Sequence, residues 1–273
     1  MQLSTYHTHT TFCDGKNTAE EMLLRAIELG CPEYGFSGHI YSKGDEEWCM
    51  SREGTELYKK EVLRLKEKYR DKIKVYLGVE CDYLSREPLS DYDYVIGSVH
   101  TLVKSGARAE VDGGTRESRA ENVKRLWGGD PYAFVEDYFA AISDVYERTR
   151  CDVVGHFDIV CKFNQRDHAF DEEHPRYRRA ALAALDKLLL TPAVFEFNTG
   201  GAYRGYRTDF YPADFLLERI AEAKRPMLIT SDTHSTDSIL FGYEHAAKML
   251  DHYGIKYLCS MDEVLELTRK NSK

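Results

Sequence analysis

Two histidines stand one residue apart near the amino terminus, at His7 and His9, and an Asp-Gly pair follows at Asp14. The same spacing links Asp232 to His234 near the other end of the chain. Residues two apart on an extended strand point to the same side, so both members of each pair could reach one ion. Imidazoles and carboxylates are common protein ligands of Zn²⁺, Mn²⁺ and Fe²⁺. The two pairs therefore predict metal chemistry if the fold brings them together.

Further candidate ligands stand at the ends of short strand-like runs. Seven such runs occupy residues 3–7, 34–39, 75–80, 94–100, 152–156, 194–198 and 227–232. Six of them end in a residue that can bind a metal, and these ends are His7, His39, Glu80, His100, His156 and Asp232. The seventh ends in Asn198. A single buried histidine is more typical of a hydrogen-bonded structural residue, but six coinciding strand ends favour one cluster of metal ligands.

Helical segments separate most of these runs. Thr18 and Glu21 have the spacing of a capping box, and Gly30 is placed to end the helix that they begin. Further helices are predicted near residues 55–69, 131–149, 176–190, 213–224, 238–252 and 261–270. This alternation predicts parallel βαβ units in a closed α/β barrel, with an open doubly wound sheet as the alternative. In a parallel barrel the strand ends meet at one face, where the candidate ligands are expected to converge.

The number of candidate ligands exceeds what one ion can use. A carboxylate such as Glu80 can bridge two metals, so two or three divalent ions (Zn²⁺, Mn²⁺ or Fe²⁺) are predicted. The set contains no thiolate, which disfavours a cysteine-rich structural zinc site. Four other histidines have no comparable neighbours and are predicted to be structural or surface residues: His168, His174, His245 and His252.

The composition limits the class of protein. The chain has 273 residues, of which 42% are hydrophobic and 30% charged, as in ordinary globular proteins. A net charge of −9 argues against nonspecific binding to nucleic acid or to anionic membranes. No run is long enough for a membrane span, and the first residues do not read as a signal peptide. Seven cysteines without a C-x-x-C pair predict reduced thiols in a cytoplasmic protein.

Six short motifs contain the candidate ligands: H7-T-H9 with D14-G15, G38-H39, V79-E80, G97-S98-V99-H100, G155-H156-F157-D158 and S231-D232-T233-H234. Their residues and order resemble the metal motifs of the PHP family, named for polymerase and histidinol phosphatase. The resemblance extends from the first run to about residue 250. Two further segments are similar to the histidinol-phosphatase branch: W48-C49-M50-S51, and E196-F197-N198-T199-G200-G201 followed by Arg204.

The resemblance implies a distorted TIM-like (β/α)7 barrel of PHP type, with residues 1–273 forming a single metal-dependent phosphoesterase domain. It also implies a site for three ions. By this resemblance the first ion is held by His7, His9, Glu80 and Asp232, the second by Glu80, His100 and His156, and the third by His39, His234 and Asp14. Some members of the family have histidine at the position of Asp14.

The implied activity is hydrolysis of a phosphate monoester, and the branch implies L-histidinol phosphate, a metabolite of histidine biosynthesis, as the substrate. Arg204 is the first candidate for phosphate binding because a guanidinium fork matches phosphate oxygens. Lys162 and Arg207 are further candidates. Three catalytic candidates come from the predicted ligands: Glu80 as the bridge between ions, and Asp232 or His234 as the group that protonates the departing alkoxide.

Other functions remain open at this point. One alternative is a PHP phosphoesterase that acts on nucleotides or oligonucleotides, another is a protein-tyrosine phosphatase, and a third is a metal-binding domain without activity. Long inserts at residues 40–55 and 102–127 favour a covered pocket for a small molecule. Acidic residues that could face the cationic end of such a substrate are Glu110, Asp112 and Asp209.

Overall fold

The computed structural model describes residues 4–270. The strands are β1 (Glu33–Phe36), β2 (Lys74–Asp82), β3 (Tyr94–Ser98), β4 (Thr101–Lys104), β5 (Ala107–Glu110), β6 (Val153–Val154), β7 (Val194–Asn198), β8 (Met227–Thr230) and β9 (Tyr257–Leu258). The α-helices are α1 (Ala19–Glu28), α2 (Arg52–Lys68), α3 (Arg116–Trp127), α4 (Pro131–Ser143), α5 (Val145–Thr149), α6 (Asn164–Asp167), α7 (Pro175–Leu189), α8 (Gly200–Tyr203), α9 (Asp214–Glu222), α10 (Tyr243–His252) and α11 (Met261–Lys270). Leu3 of the predicted run 3–7, and both ends of the predicted domain 1–273, lie outside the described residues.

Seven strands form one parallel sheet in the order β1-β2-β3-β6-β7-β8-β9. The spatial order follows the chain without a reversal, whereas a doubly wound sheet reverses direction at a switch point. The sheet therefore curls as a distorted barrel, which confirms the predicted α/β fold and excludes the open doubly wound alternative for the described residues. The remaining two strands, β4 and β5, form a separate antiparallel hairpin.

The first predicted run joins the two sides of the curled sheet. Thr5 forms a parallel bridge with Tyr34 of β1, and Thr8 forms one with Thr233, just beyond β8. The backbone N–H of His9 also donates to the carbonyl of Thr233 over 2.8 Å. This segment makes isolated bridges rather than a continuous ladder, so the predicted strand is an extended connection. Its position nevertheless places His9 beside the ends of strands from both halves of the sheet.

Local signals account for the ends of α1. Thr18 and Glu21 form the predicted capping box, in which each side chain accepts a hydrogen bond from the backbone of the other residue. Gly30 has φ 76°, and the N–H groups of Gly30 and Cys31 donate to the last turn of the helix. These bonds close the helix in the left-handed turn that glycine adopts without a steric penalty.

Within the described residues, no helix has the length and apolar character to span a bilayer.

Three differences from the predicted elements have local causes. The predicted helix 131–149 is divided at Asp144, a residue type of low helix propensity. The predicted helix 238–252 begins only at Tyr243, because Gly242 has φ 74°. The hairpin β4–β5 was not predicted, since its short strands are half exposed and carry little apolar periodicity. Its turn at Ser105 and Gly106 has positive φ at both residues, as type I′ hairpins require.

Tyr94 fills the end of the barrel away from the strand ends that carry the candidate ligands. Its hydroxyl donates to the carbonyl of Tyr6 and, over 3.1 Å, to the carbonyl of Phe36. The side chain is fully buried, and its ring lies against Gly35 on β1 and Gly78 on β2. Both glycines therefore leave room for an aromatic ring that fastens the extended amino-terminal segment to β1.

We expect Gly78→Ala to lower the free energy of unfolding by about 1–3 kcal/mol, the usual cost of overpacking a core. A Cβ atom at this position would lie 2.2 Å from Cζ of Tyr94, and the hydroxyl bonds prevent the ring from moving away. Urea denaturation would measure the change. The matched control is Gly54→Ala in the first turn of α2, where the nearest atom is Ser51 Oγ at 3.2 Å and no loss of stability is expected. Equal stability of the two variants would contradict this account of Tyr94.

Candidate metal centre

The nine predicted ligands lie around one site at the carboxyl ends of the parallel strands. Glu80 is on β2, and the others lie on the segments beyond strand ends or on the extended amino-terminal connection: His7, His9, Asp14, His39, His100, His156, Asp232 and His234. Because β2 continues to Asp82, its register with the neighbouring strands places Glu80 centrally among them. The structure thus brings together residues that are up to 227 positions apart in the sequence.

One oxygen of Glu80 faces three imidazoles. Its Oε2 atom lies 3.0 Å from Nε2 of His7, 3.3 Å from Nε2 of His9 and 3.1 Å from Nδ1 of His39. All four side chains are buried, with no more than 8% of any one exposed. A single carboxylate oxygen cannot accept three hydrogen bonds with good geometry, so the arrangement is better suited to a cation shared by these groups.

The other oxygen of Glu80 faces a second pair of imidazoles. Its Oε1 atom lies 3.0 Å from Nε2 of His156 and 3.4 Å from Nε2 of His100. These two nitrogens are only 3.3 Å apart. The hydroxyl of Ser98 donates to the same oxygen over 2.6 Å and holds the carboxylate in place. The two sides of Glu80 could therefore serve two different ions, as a bridging carboxylate does.

Asp232, just beyond the end of β8, approaches the imidazoles of His7 and His9. Its Oδ1 atom lies 3.5 Å from Nε2 of His7 and 3.3 Å from Nε2 of His9. Its backbone has φ 45°, a left-handed conformation that is unusual for a residue other than glycine. Arg204 donates to both the carboxylate, over 2.7 Å, and the backbone carbonyl, over 2.8 Å. These bonds hold a strained residue where its carboxylate faces the histidines.

Asp14 forms the outer part of the cluster. Its carboxylate lies 3.0 Å from Nε2 of His234, 3.4 Å from Nδ1 of His9 and 3.8 Å from Nε2 of His39. Asp14 lies in a turn that runs from Thr10 to Gly15. Because Gly15 has no Cβ atom, its backbone can lie directly against the backbone of Thr10. This close turn explains why glycine follows the aspartate. About a third of the Asp14 side chain is exposed, so this part of the site opens to solvent.

Glu196, which the sequence indicated only as part of the segment 196–201, has a specific role in supporting the cluster. Its Oε2 atom lies 2.8 Å from Nδ1 of His7, and its other oxygen accepts hydrogen bonds from the backbone of His156 and from the amide of Asn198. A carboxylate on Nδ1 keeps the proton there and leaves the Nε2 lone pair directed at the cluster. The available signal was an acidic residue inside the apolar run 194–198.

Asp82 has a related position two residues beyond Glu80. Its Oδ2 atom accepts a hydrogen bond from the backbone N–H of His100 over 2.8 Å and lies 3.4 Å from Nδ1 of the same residue. The side chain is almost completely buried. Asp82 therefore fixes the loop that presents His100, although no spacing in the sequence distinguishes it from an ordinary acidic residue at a strand end.

Charge and burial act against each other on the imidazoles. Burial lowers the pKa of His7, but the charges of Glu196 and Glu80 outweigh it and raise the pKa to about 10. For His39, burial dominates and lowers the pKa to about 3. Since neutral imidazole is the form that binds a metal, His39 is ready to bind at neutral pH, whereas His7 would release a proton on binding. The negative potential that retains this proton also attracts cations.

The donor set fits divalent cations. Among the described residues, the buried atoms His9 Nε2 and His39 Nδ1 have no hydrogen-bond partner. Leaving a buried polar atom unsatisfied costs about 1–3 kcal/mol, which an ion at this position would relieve. Four overlapping groups have donor atoms within 4.8 Å of one another: His9–Asp14–His39–His234, His7–His156–Asp232, His7–His9–Glu80 and His39–Glu80–His100. Nitrogen and oxygen donors without thiolates suit Zn²⁺, Mn²⁺ and Fe²⁺.

These groups match the expected ligand sets in part. Asp14, His39 and His234 fall into one group, as expected for the third ion. Three members of the first expected set also fall into one group, in which Glu80 is the carboxylate. His100 is grouped with His39 rather than with His156, although His100 and His156 both lie close to the same oxygen of Glu80. The division of the ligands among ions therefore stays a prediction.

The cluster faces a cavity of about 740 Å³. Two of the three predicted phosphate ligands, Arg204 and Lys162, line it, and Lys162 forms an ion pair of 3.0 Å with Asp112. Arg207 is not part of this lining; it is buried beside Tyr211, with its guanidinium 4.8 Å from the ring centre. Asp209 is likewise outside the lining and accepts a hydrogen bond from Gln165. The geometry therefore favours Arg204 over Arg207 for contact with a substrate.

The four remaining histidines lie outside the cluster. His174 caps α7, where its Nδ1 accepts from the backbone of Arg176, and its ring stacks on Tyr132. His168 ends α6 in a left-handed conformation. His245 packs edge-on against an aromatic ring within the fold, and His252 lies in the last turn of α10. Their positions agree with the predicted structural roles.

A family model for the PHP domain matches residues 5–199. The chain belongs to the PHP family. The match contains seven of the nine clustered ligands of this PHP protein, and Asp232 and His234 lie beyond it. The family match and the parallel barrel confirm the resemblance inferred from the six motifs.

Two bacterial proteins are similar in sequence to this PHP protein over most of their length. One, named "probable histidinol-phosphatase", is from Deinococcus radiodurans; it is 29% identical over 91% of this chain and 92% of its own. The other, named "histidinol-phosphatase", is from Bacillus subtilis; it is 25% identical over 89% of this chain and 98% of its own. A crystal structure of histidinol phosphate phosphatase from Lactococcus lactis has a TM-score of 0.68 and 20% identity, covering 94% of this chain and 95% of that protein. That structure contains zinc, L-histidinol and phosphate.

Proposed function

We propose that this PHP protein is a metal-dependent phosphatase that hydrolyses L-histidinol phosphate to L-histidinol and phosphate, and that residues 1–273 form one domain. The observation that carries the proposal is the lining of the cavity, which combines the metal ligands and Arg204 with three further carboxylates. The names of the two relatives, and the zinc, L-histidinol and phosphate in the Lactococcus lactis structure, support the same reaction.

Two or three divalent ions, Zn²⁺, Mn²⁺ or Fe²⁺, are proposed to occupy the cluster. The proposed sets are His7, His9, Glu80 and Asp232 for the first, Glu80, His100 and His156 for the second, and His39, His234 and Asp14 for the third. When bound, such ions polarise phosphoryl oxygens and lower the pKa of water. The chain contributes by fixing these ligands in a buried pocket, with Glu80 common to two sets and Glu196 holding the tautomer of His7.

Arg204 is proposed to bind the phosphoryl group. It lines the cavity beside Asp232 and His234, with its Nη1 atom 3.0 Å from Nδ1 of His234. A guanidinium can offer two parallel N–H donors to phosphate oxygens, and it keeps its charge when buried. The nearby carboxylate of Asp232 raises the pKa of Arg204 further, against the effect of burial. Its positive charge would offset the charge on the phosphoryl oxygens during transfer.

Three carboxylates are proposed to face the cationic end of the substrate: Glu47, Glu110 and Asp112. Burial and the neighbouring charges of Asp112 and Glu47 raise the pKa of Glu110, which shows that negative charge is concentrated here. Lys162 forms an ion pair with Asp112, and the charge of Arg119 offsets only part of the effect on Glu110. A protonated amine or imidazole would relieve this repulsion, whereas the second phosphate or the phosphodiester of a nucleotide substrate would increase it. This polarity favours histidinol phosphate over nucleotides.

The proton of the attacking water has two candidate carriers. Burial opposes ionisation of Asp232, but Arg204 and His7 hold the pKa of that carboxyl well below its usual range. Burial and the charge of His9 lower the pKa of His234. Both groups are therefore in their basic forms at neutral pH. One of them takes the proton that the water loses and passes it to the departing alkoxide, which balances the reaction, and His234 is the stronger base because the lowered pKa of Asp232 makes its carboxylate a poor proton acceptor.

A substrate panel tests the proposed function. We expect the purified protein to release phosphate from L-histidinol phosphate with a kcat/KM at least about 100-fold higher than from nucleoside monophosphates, phosphotyrosine peptides or oligonucleotides. Treatment with a chelator should abolish the activity, and added Zn²⁺ or Mn²⁺ should restore it. Preferred turnover of a nucleotide or a phosphopeptide would replace the proposed substrate, and unchanged activity in metal-free protein would overturn the metal-dependent mechanism.

A further inference from the structure

The first of two insertions begins and ends at His39. The segment between β1 and α2 leaves the barrel after this histidine and returns at Met50, whose backbone N–H donates to the carbonyl of His39 over 3.0 Å. Trp48 on this loop packs edge-on against His39, with 4.8 Å between ring centres, and against His100, with 5.2 Å. Glu47, next to it, lines the cavity. The loop is therefore a closed excursion that carries two cavity-lining side chains.

The second insertion, the hairpin β4–β5, begins and ends at His100. Thr101 follows this histidine directly and pairs with Glu110 at the far end of the hairpin. The backbone N–H of Val111 then donates to the carbonyl of His100 over 2.8 Å. Glu110 and Asp112, on either side of Val111, both line the cavity. Each insertion thus starts and ends at a predicted metal ligand and presents acidic residues to the same space.

Asp45 joins the two insertions. It lies at the tip of the first loop and is only 4% exposed. Its Oδ1 atom accepts a hydrogen bond from the hydroxyl of Thr101 over 3.0 Å, and its Oδ2 atom accepts one from Ser42 over 2.6 Å. The same Oδ2 atom forms an ion pair with Arg108 on β5. Bonds from both insertions therefore meet on one buried carboxylate.

Close backbone packing supports this junction. Gly44 has φ 89°, and a Cβ atom on it would lie 2.8 Å from Nε of Arg108. The guanidinium thus lies directly against the loop backbone next to Asp45. Arg108 is about one-third exposed, so it covers the buried carboxylate from the solvent side. A buried, paired carboxylate with several hydrogen bonds is held in one geometry, and removal of its partner has a large cost.

We propose that Asp45 and Arg108 form a positioning pair that sets the distance between Glu47 on one insertion and Glu110 on the other, and so sets specificity for a substrate with a cationic end. The proposal rests on the proposed function, since the cationic end belongs to that substrate. Neither residue lines the cavity. Their effect passes through Trp48 and the two glutamates, which move apart when the insertions are released from each other.

The kinetic test uses Asp45→Asn, Arg108→Gln and the double variant. For Asp45→Asn we expect the KM for L-histidinol phosphate to rise about tenfold with kcat changed less than about twofold, because the binding of the cationic end is disturbed and the metal ligands are not. The kcat/KM for phenyl phosphate, which lacks a cationic end, should stay within about twofold of that of the parent. The double variant should be no worse than Asp45→Asn alone, as expected for two residues that act as one unit.

A spectroscopic test does not depend on turnover. The chain has two tryptophans, Trp48 and Trp127, so a Trp127→Phe background leaves Trp48 as the only reporter. In this background, Asp45→Asn and Arg108→Gln should each increase acrylamide quenching of Trp48 and shift its emission to longer wavelength. The matched control is Asp152→Asn, just before β6 and so at the opposite end of the barrel, which weakens another buried Asp–Arg ion pair, with Arg269 on α11. This control should change neither Trp48 emission nor KM.

The outcomes separate the two proposals. If the parent protein does not hydrolyse L-histidinol phosphate, the proposed function fails, and quenching of Trp48 still decides whether Asp45 joins the insertions. If the parent is active but Asp45→Asn retains both its KM and its Trp48 quenching, the positioning pair is refuted. An equal loss for histidinol phosphate and phenyl phosphate also overturns it, since specificity would be unaffected. Should Asp45→Asn fail to fold, Arg108→Gln, which alters a partly exposed side chain, provides the same readouts.

Discussion

Glu80→Gln should lose more than about 1,000-fold in kcat and most of the bound metal. The substitution keeps the size of the side chain but removes the charge that both oxygens present to five imidazoles. A neutral amide also places an N–H group where a lone pair is needed, so one of the two ions that Glu80 is proposed to bridge loses this ligand. The effect is expected to exceed that of removing any single histidine, because each histidine serves one ion.

Elemental analysis and phosphate release on the same preparation would measure both losses. The matched control is Glu67→Gln on α2, where 73% of the side chain is exposed and no change is expected in either quantity. Thermal unfolding would show whether the variant is folded. Full turnover by Glu80→Gln after loss of metal would contradict the central role of this carboxylate, whatever the substrate.

Arg204→Gln should lower kcat/KM for L-histidinol phosphate by about 100- to 1,000-fold, the usual effect of removing one charged hydrogen-bond donor that binds the transferred group. Arg204 lines the cavity beside Asp232, and no other arginine in the described part of the chain contributes to the lining. Arg204→Lys should recover part of the loss, because a lysine keeps the charge but not the fork of donors. The difference between the two variants measures the contribution of bidentate geometry.

The position of Arg204 also links it to Asp232, and metal analysis separates the two roles. If Arg204 acts on the phosphoryl group, Arg204→Gln should keep its metal and bind inorganic phosphate, as a product inhibitor, more weakly. Loss of metal in proportion to loss of activity would instead show that Arg204 acts by holding Asp232. Arg166→Gln is the control, since that side chain is 61% exposed and lies outside the cavity lining.

Sequence reasoning was most successful where the chemistry depends on residue type and strand position. The ends of six strand-like runs indicated one cluster, and the parallel order of the strands brings His39, Glu80, His100 and His156 to the same face of the barrel. Parallel strands share one direction, so a donor at each carboxyl end is placed with its neighbours without any detailed knowledge of packing. The capping box of α1 was predictable for a similar reason, because its two partners are three residues apart.

Contacts between segments distant in sequence escaped prediction. Glu196 and Asp82 support His7 and His100 through side-chain geometry, which no spacing encodes. Arg207 is the opposite case, a residue predicted to bind phosphate that the fold places elsewhere. It stands three residues after Arg204, yet it packs beside Tyr211 outside the cavity lining. Which of two nearby arginines faces a pocket depends on the turn between them.

Residue type and periodicity are local properties of the chain, and they were enough to predict the kind of chemistry, the parallel α/β fold and the identity of the candidate ligands. How these parts meet became clear from the three-dimensional arrangement. It placed both oxygens of Glu80 among five imidazoles, separated Arg204 from Arg207, and joined two insertions through Asp45. Such contacts connect segments far apart in sequence, and their distances follow from the packing of the whole barrel.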